Sequence, residues 1–339
     1  MKKIYFTILL LLFFQVIKLI SGTANNPKNS NQAKYYALNG YQYPEFYRGL
    51  YLNNTSARNF EKLTSFILAA KNSSINTLVL DLQNYKYQKR SIPVENVYHC
   101  LINNIHPIAR IVVFPNGLKE YPVSPYLIEN RLKVAEEACQ TGFKEIQFDY
   151  IRFNDSKILN HLSLTDRYNF IEGFLTKARK RLAKYQIKIS ADVFGRIPLV
   201  QDDQIGQKME SLDKVVDIIC PMAYPSHYWT KEQQHDPYKT VYLTSKKAKE
   251  RTKTAKIVTY IQAFKWRMPP YSFSKYIQEQ IKAVHDAGIK GFILWNARQV
   301  YKVPLKASQD FYENYNEQVS QDDDSHQKNS NQKEKIKFI

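Results

Sequence analysis

Residues 143–153 read FKEIQFDYIRF, a short run of β-branched, aromatic and polar residues that is typical of a β-strand. Side chains alternate between the two faces of a strand. One face of this run is apolar and is expected to pack under helices: Ile146, Phe148 and Tyr150. The other face is polar: Glu145, Gln147 and Asp149.

A polar face needs an explanation if the strand belongs to a parallel sheet. Such strands are buried on both sides and are usually apolar on both. A buried polar group without a partner costs several kcal/mol. Glu145, Gln147 and Asp149 must therefore be paired or serve a polar site. Asp149 lies nearest the carboxyl end of the strand, where barrel active sites are found.

Seven similar runs occur elsewhere, with helical patterns between most of them. The eight predicted strands are Tyr47–Leu52, Thr77–Leu82, Ile108–Phe114, Glu145–Ile151, Ile187–Phe194, Val216–Met222, Ile257–Gln262 and Gly291–Trp295. The predicted helices are Asn59–Lys71, Val94–Asn103, Asn130–Thr141, Thr165–Tyr185, Gln204–Ser211, Pro237–Arg251 and Ser274–Ala287. This alternation, over about 260 residues (45–305), predicts an α/β fold, a single-domain (β/α)8 TIM barrel. A doubly wound open sheet is the alternative, but the Gly-rich nucleotide loop usual after its first strand is absent.

Three carboxylates are expected at one mouth of this barrel. Asp192 and Asp81 lie near the carboxyl ends of the fifth and second predicted strands, as Asp149 does on the fourth. Arg110 on the third strand lies between Asp81 and Asp149 in strand order, so it is placed to bridge them. The structural alternative is an internal ion-pair network of Arg110 with Glu145 and Asp81. Such a network would only give the buried polar groups of the lumen their partners.

The later strands bring groups suited to sugar recognition to the same mouth. Aromatic faces stack on the C–H faces of sugar rings, and amide and imidazole groups bond hydroxyls. The candidates are Tyr224, His227, Gln262, Trp295 and Asn296. Ordinary packing at the barrel top is the alternative for each of them. None of the seven histidines has a partner at metal-ligand spacing, so we expect no metal site.

Composition narrows the class of protein further. The chain is 44% apolar and 14% aromatic, which is enough for a large packed core. It carries 49 basic and 31 acidic residues, a formal net charge of +18. The basic residues are spread along the chain, so we interpret them as a solvated surface and expect no nucleic-acid partner. The Walker, GxGxxG, GxSxG, HExxH and CxxC motifs are absent, and no cofactor is expected.

The first residues have the layout of a secretory signal. Lys2 and Lys3 precede an apolar run at Ile4–Phe14, and small residues ending at Ala24 suit a cleavage site. The clean apolar run is shorter than the ~20 residues of a membrane span. Residues 1–24 are thus predicted to be a signal peptide or an N-terminal anchor. An uncleaved anchor would attach the protein to the membrane through residues 4–20. Export would place the protein in the periplasm or outside the cell, or on the inner membrane if the signal is uncleaved.

The remaining segments are simpler. Residues 25–44 are predicted to be a polar linker, residues 45–305 the barrel, and residues 306–339 a polar, disordered tail. The three cysteines, Cys100, Cys139 and Cys220, are too few for a disulfide framework and are interpreted as buried small side chains.

Six motifs occur in an order that points to a known family. They are Arg48–Tyr51, Ala109–Phe114, Glu145–Phe153, Ser190–Gly195, Pro221–Tyr228 and Leu294–Ala297. The chain resembles, over about residues 45–305, a family of bacterial domain-of-unknown-function proteins with glycosyl-hydrolase-like TIM barrels. The resemblance implies a glycosidase-like barrel, with acidic positions that match Asp149 and Asp192. The family's charged stretch after the second strand is replaced here by residues 82–85, so the resemblance gives Asp81 no catalytic role.

Glycoside cleavage needs two carboxyl groups, one to protonate the leaving oxygen and one to attack carbon or activate water. We predict Asp149 as the nucleophile or base, and Asp192 as the acid with a raised pKa. Arg152 is predicted to orient Asp149 or bind an anionic sugar group. Asp81, Arg110, Glu145 and Gln147 are predicted to support the site, and the expected partner is an extracytoplasmic polysaccharide.

Two other functions are compatible with the sequence. A non-catalytic carbohydrate or cell-wall binding barrel would keep the aromatic residues and use Asp149 only for hydroxyl bonds. An exported basic protein that binds an anionic polymer or lipid would bind with steep salt dependence and be indifferent to Asp149.

Overall fold

The computed structural model describes residues 41–84 and 86–315. The predicted signal or anchor at 1–24, nearly all of the predicted linker, and the chain beyond residue 315 lie outside these residues. Within the described part, no helix combines the length and hydrophobicity needed to cross a membrane.

Eight parallel strands form a closed barrel, which confirms the predicted (β/α)8 TIM barrel. They are β1 (Tyr47–Leu52), β2 (Thr77–Asp81), β3 (His106–Val112), β4 (Glu145–Asp149), β5 (Lys188–Phe194), β6 (Ile218–Met222), β7 (two segments, Lys256–Ile257 and Thr259–Gln262) and β8 (Gly291–Trp295). Each strand pairs with its sequence neighbours. The pairing of β1 with β8, in register Tyr47 to Gly291, closes the ring.

The helices alternate with the strands and surround them. They are α1 (Asn54–Arg58), α2 (Phe60–Lys71), α3 (Val94–Ile102), α4 (Pro125–Thr141), α5 (Leu164–Leu182), α6 (Met209–Leu212), α7 (Lys231–His235), α8 (Pro237–Glu250), α9 (Phe273–Asp286) and α10 (residues 302–315). Serine N-caps define the starts of two of these helices. The side chain of Ser163 accepts a hydrogen bond from Asp166 N at the start of α5, and that of Ser272 accepts one from Lys275 N at the start of α9. The buried apolar face of each main helix then packs on the sheet.

Several predicted bounds differ from the observed ones, and two of these differences have a clear backbone cause. The fourth strand stops at Asp149 instead of Ile151, because Tyr150 has φ 53°, a left-handed conformation that no strand continues through. The predicted helix 204–211 is reduced to α6, because Gly206 adopts φ +77° and breaks the helical path. Both departures lie at the carboxyl-terminal mouth of the barrel.

A terminal helix covers part of the barrel's outside. The predicted barrel–tail boundary at residue 305 falls inside α10, where Leu305, Ala307 and Tyr312 are buried. Ser308 donates a hydrogen bond from its hydroxyl to the Ser73 carbonyl at 3.0 Å. Helical structure therefore continues to residue 315, into the segment predicted to be a disordered tail.

The core has two layers. The larger one lies between the sheet and the helices, and includes Ile146 and Phe148 of β4 as predicted. The smaller one fills the lumen with Val79, Ile108 and aromatic side chains such as Tyr47 and Tyr260. Cys100, Cys139 and Cys220 are buried, free thiols.

Candidate active site

Arg110 joins two carboxylates at the carboxyl-terminal mouth of the barrel. Its Nη1 donates to Asp81 Oδ1 at 2.5 Å, and its Nη2 donates to Asp149 Oδ2 at 2.5 Å. Burial disfavours the charged guanidinium, but Asp81 and Asp149 outweigh this and raise the pKa of Arg110 well above its usual value. Arg110 is therefore a fixed cation that bridges the two strands beside its own.

Asp149 is held from two directions. Its Oδ2 also accepts a hydrogen bond from Arg110 Nε at 3.1 Å. Its Oδ1 accepts a hydrogen bond from the backbone N–H of Tyr150 at 2.5 Å. The left-handed backbone of Tyr150 accompanies this contact. Asp149 is 4% exposed, so these donors fix the orientation of a nearly buried carboxylate.

Asp192 lies next to Asp149 on the neighbouring strand. The β4–β5 register pairs Phe148 with Ala191, so Asp149 and Asp192 follow at adjacent positions. Neighbouring strands are ~4.8 Å apart, which places both carboxyl groups at one level of the mouth. Burial, and then the charge of Asp149, raise the pKa of Asp192 well above its usual value. Asp192 Oδ1 is buried and has no hydrogen-bond partner among the described residues.

Asp81 completes the carboxylate group from the far side of Arg110. It accepts a hydrogen bond from the Tyr51 hydroxyl at 2.5 Å. Burial raises the pKa of Asp81, and its contacts with Arg110 and Tyr51 offset this only in part. Asp81 does not line the cavity described next, so it acts on the site through Arg110.

One cavity of about 300 Å³ brings the two central carboxyl groups together with aromatic side chains. Six of its lining residues were predicted site residues: Arg110, Asp149, Asp192, Tyr224, His227 and Trp295. Five were not: Tyr150, Phe194, Arg196, Met222 and Tyr260. The predicted carboxylates and aromatic candidates thus share one space.

The aromatic wall of this cavity is a stack. The rings of Tyr224 and Trp295 lie 5.2 Å apart with 26° between their planes. His227 meets Tyr224 edge to face, and burial followed by the nearby charge of Arg267 lowers the pKa of His227. An imidazole and a flat aromatic surface therefore line the same cavity as the carboxyl groups, an arrangement suited to a sugar ring.

Two predicted substrate-binding residues, Gln262 and Asn296, bond to the backbone of the mouth loops. The side chain of Gln262 is fully buried; its Oε1 accepts a hydrogen bond from Ser226 N, and its Nε2 donates to the carbonyls of Phe264 and Trp266, each at 3.0 Å. Its hydrogen-bonding capacity is thus used by the backbone of two loops.

Asn296 is similar. Its Nδ2 donates to the carbonyl of Ala263 at 2.7 Å and to that of Val300 at 3.2 Å, and its Oδ1 accepts from Arg298 N at 2.9 Å. These bonds leave its amide committed to shaping the loop after β8. Both amides thus position the aromatic loops.

Arg152 lies apart from the carboxylate it was predicted to orient. Its Nη1 donates to the carbonyl of Phe153 at 3.0 Å, and its guanidinium lies over the Phe194 ring. Its ion-pair partner among the described residues is Asp155, at 3.6 Å. The left-handed turn at Tyr150 changes the direction of the chain before Arg152, so the expected contact with Asp149 does not form.

Glu145 and Gln147 lie deeper in the lumen, where they are paired. Glu145 Oε2 lies 3.1 Å from His106 Nε2 and accepts a hydrogen bond from Tyr47 at 3.3 Å. Gln147 Oε1 accepts from the Tyr260 hydroxyl at 2.6 Å. The expected alternative of an Arg110–Glu145 pair is wrong, because His106, at the base of β3, takes that position.

Sequence reasoning missed several residues for different reasons. Tyr260 shares a strand face with Gln262, so alternation along β7 was a usable signal. Tyr150 was assigned to the outer face, and only its positive φ turns it toward the cavity. Gln207 donates a hydrogen bond to the Asp192 carbonyl at 3.0 Å and accepts one from Phe194 N. It therefore supports the end of β5, and nothing in the sequence of its loop predicts this contact.

The described residues contain no group of three His, Cys, Asp or Glu side chains placed to hold a metal ion. Two neighbouring carboxyl groups, one bound by a guanidinium and one buried with a raised pKa, lie in an aromatic cleft at the carboxyl-terminal mouth of a TIM barrel, and define the class of a glycosidase-like barrel.

Family comparison agrees with this class. Residues 120–301 match the model of a family described as "Putative glycosyl hydrolase domain", and the chain belongs to that family. The resemblance noted from the sequence motifs is thus confirmed. No curated protein matches the chain.

Solved structures show the same fold. The PgaB (BpsB) glycoside hydrolase domain from Bordetella bronchiseptica is 11% identical with a TM-score of 0.60; the match covers 78% of this chain and 98% of that one. The spore cortex-lytic enzyme SleL from Bacillus megaterium is 14% identical with a TM-score of 0.55, covering 80% and 75%. A chitinase from Chromobacterium violaceum is 15% identical with a TM-score of 0.54, covering 77% and 98%.

Proposed function

We propose that this protein is a glycoside hydrolase that cleaves glycosidic bonds of an extracytoplasmic polysaccharide, using Asp149 and Asp192 as a carboxyl pair. The observation that carries the proposal is the contrast between them. Asp149 is bound by a fixed guanidinium, whereas the neighbouring Asp192 is buried with a raised pKa and an unpartnered oxygen. Glycoside cleavage requires one carboxyl group that donates a proton and a second that acts as a nucleophile or base.

The proposed mechanism assigns one role to each group. Asp192, whose raised pKa favours its protonated form, donates its proton to the glycosidic oxygen as the bond to the leaving sugar breaks. Asp149, as carboxylate, stabilises the positive charge that develops on the sugar, and either attacks the anomeric carbon or removes a proton from the attacking water. Tyr224 and Trp295 hold the sugar ring against the pair.

Family membership and the SleL and chitinase neighbours make amino-sugar polymers a reasonable first panel. The purified protein is incubated with cell-wall and amino-sugar polysaccharides, and the reducing ends released are counted. Asp149→Asn should release none while its thermal unfolding remains cooperative. Glu120→Gln, an exposed carboxyl outside the cavity, is the matched control and should behave as wild type. Equal release by wild type and Asp149→Asn would refute the assignment of Asp149.

A non-catalytic carbohydrate-binding barrel is the second candidate. The observation in its favour is that both oxygens of Asp149 already accept hydrogen bonds, from Arg110 and from Tyr150 N. This function predicts sugar binding without product, and only a modest change of affinity in Asp149→Asn. Time courses of product release beside equilibrium binding separate the two candidates.

We also propose that the protein works outside the cytoplasm, since residues 1–24 have the layout of a secretory signal. Cell fractionation with N-terminal sequencing of the mature protein tests this. A mature chain that starts at Asn25 in the exported fraction is expected. A chain that keeps Met1 and stays in the cytoplasm would contradict export.

A further inference from the structure

A second, larger cavity of about 770 Å³ adjoins the carboxyl cavity. The two share His227 and Trp295 as lining residues, so they are adjacent. The larger cavity, called here the aromatic groove, is lined by His227, Phe264, Lys265, Trp266, Phe273, Trp295, Asn296, Ala297, Arg298, Val300, Lys302, Val303 and Pro304.

The walls of the aromatic groove are suited to sugar rings. Trp266 stands edge to face against His227, with ring centroids 5.2 Å apart, and Phe264 does the same against Trp295 at 5.5 Å. Trp266 is 46% exposed, so its indole is open to a ligand. Flat apolar faces with polar edges are the usual surfaces for carbohydrate stacking.

The charged side chains that line this groove are all basic. Lys265, Arg298 and Lys302 line it, and no aspartate or glutamate does. All three side chains are exposed, and none forms an ion pair with a residue that the structure describes. By contrast, Arg196, which lines the carboxyl cavity, is paired with Asp203 at 2.6 Å.

The two cavities therefore differ in charge. The carboxyl cavity combines Asp149 and Asp192 with two arginines, whereas every charged side chain that lines the groove is basic, so an anionic substituent is attracted to the groove. The planar guanidinium of Arg298 can bind carboxylate or sulfate oxygens in pairs, and the two lysines add point charges.

We propose that the aromatic groove binds an anionic sugar residue of the substrate, so that the polysaccharide is an acidic one. The charged sugar stacks on the aromatic walls while its anionic substituent pairs with Arg298, Lys302 and Lys265. The adjacent sugar lies in the carboxyl cavity. This inference rests on the proposed function for the position of the cleaved bond, but not for the binding itself.

The test uses tryptophan fluorescence, because Trp266 and Trp295 lie in the groove and Trp229 is the third tryptophan of the chain. Trp229→Phe leaves only the two groove reporters. Two matched polymer pairs are titrated at low and high salt: polygalacturonate against its carboxyl-reduced form, and dextran sulfate against dextran. The first pair reports carboxylate recognition, the second sulfate.

In at least one pair, we expect the charged polymer to quench fluorescence at a concentration at least tenfold lower than its neutral partner requires. Arg298→Gln/Lys302→Gln should reduce this preference to less than about threefold. Lys177→Gln/Lys180→Gln makes the same change of charge at exposed positions of α5 and should retain it.

Three results would overturn the inference: equal quenching by both members of each pair, equal loss in both double variants, or no quenching by any polymer. Equal loss would mean general attraction to a basic surface. Binding needs no turnover, so the two proposals fail separately. Charge-selective quenching without product would refute the hydrolase alone, and product from neutral polymers without charge preference would refute the groove assignment alone.

Discussion

Arg110 donates two hydrogen bonds to a single oxygen of Asp149, from Nε at 3.1 Å and from Nη2 at 2.5 Å. This leaves Nη1 for Asp81, so one guanidinium spans three neighbouring strands. The fork is possible only for arginine, since a lysine ammonium is a point charge without fixed geometry.

Arg110→Lys should therefore keep the charge but lose the fixed orientation of Asp149. Hydrogen bonds to charged groups contribute about 1.5–3 kcal/mol, so we expect kcat/KM to fall by about tenfold or more with modest loss of stability. Arg110→Met removes the cation and should lower the free energy of unfolding by about 3–5 kcal/mol. Steady-state kinetics and urea unfolding measure both. Wild-type kcat/KM in Arg110→Lys would contradict the orienting role.

Asp192→Asn should show the pattern of a missing general acid. General acid catalysis contributes about 10²–10⁴-fold, and the loss should be largest for poor leaving groups. An aryl glycoside with an acidic phenol needs little protonation, so it should be cleaved nearly as well by the variant as by wild type. Comparison of kcat for two aryl glycosides of different phenol pKa measures this. An equal loss on both substrates would argue against the acid role.

The raised pKa of Asp192 has a consequence for stability. The folded protein holds this proton above the pH at which the unfolded chain loses it, so the folded state binds more protons in that window. Stability should fall as pH rises from the unfolded pKa toward the folded one, by about 1.4 kcal/mol per pH unit for this group. Asp192→Asn should flatten the profile of unfolding free energy from pH 4 upward. An unchanged slope would contradict the burial argument.

Gln262→Ala should destabilise the protein and not merely weaken sugar binding. The change leaves Ser226 N and the carbonyls of Phe264 and Trp266 without their partner, at about 1–3 kcal/mol for each group that stays buried. We expect a clear drop in Tm. Gln309→Ala, which removes an exposed bond to Glu313 on α10, is the control and should leave Tm almost unchanged. Wild-type Tm with a raised KM would restore Gln262 to the substrate-binding group.

The alternation of side chains and the order of the strands correctly predicted where Asp149 and Arg110 lie. Alternation along residues 145–149 placed Asp149 toward the lumen, and the order of β2, β3 and β4 placed Arg110 between Asp81 and Asp149. Both inferences depend only on regular strand geometry, which short-range sequence controls.

The same reasoning failed where the backbone leaves regular geometry. Extending β4 past Asp149 put Tyr150 on the wrong face, since the sequence gives no sign of a positive φ at a tyrosine. It also brought Arg152 too near Asp149. Gln262 and Asn296 occupy the predicted mouth, but their amides bond to loop carbonyls whose positions follow from tertiary packing and not from spacing along the chain.

The hydrogen bond between Tyr301 and Tyr51 has a consequence for how the barrel closes during synthesis of the chain. The Tyr301 hydroxyl donates to the Tyr51 carbonyl at 2.8 Å, across 250 positions of sequence, beside the junction of β1 and β8. During synthesis, β1 emerges early and its free edge must wait for β8 before the ring can close. Closure is thus a late, long-range step with a high entropic cost. Until then, a nascent chain presents an open strand edge, where a chaperone would have most effect.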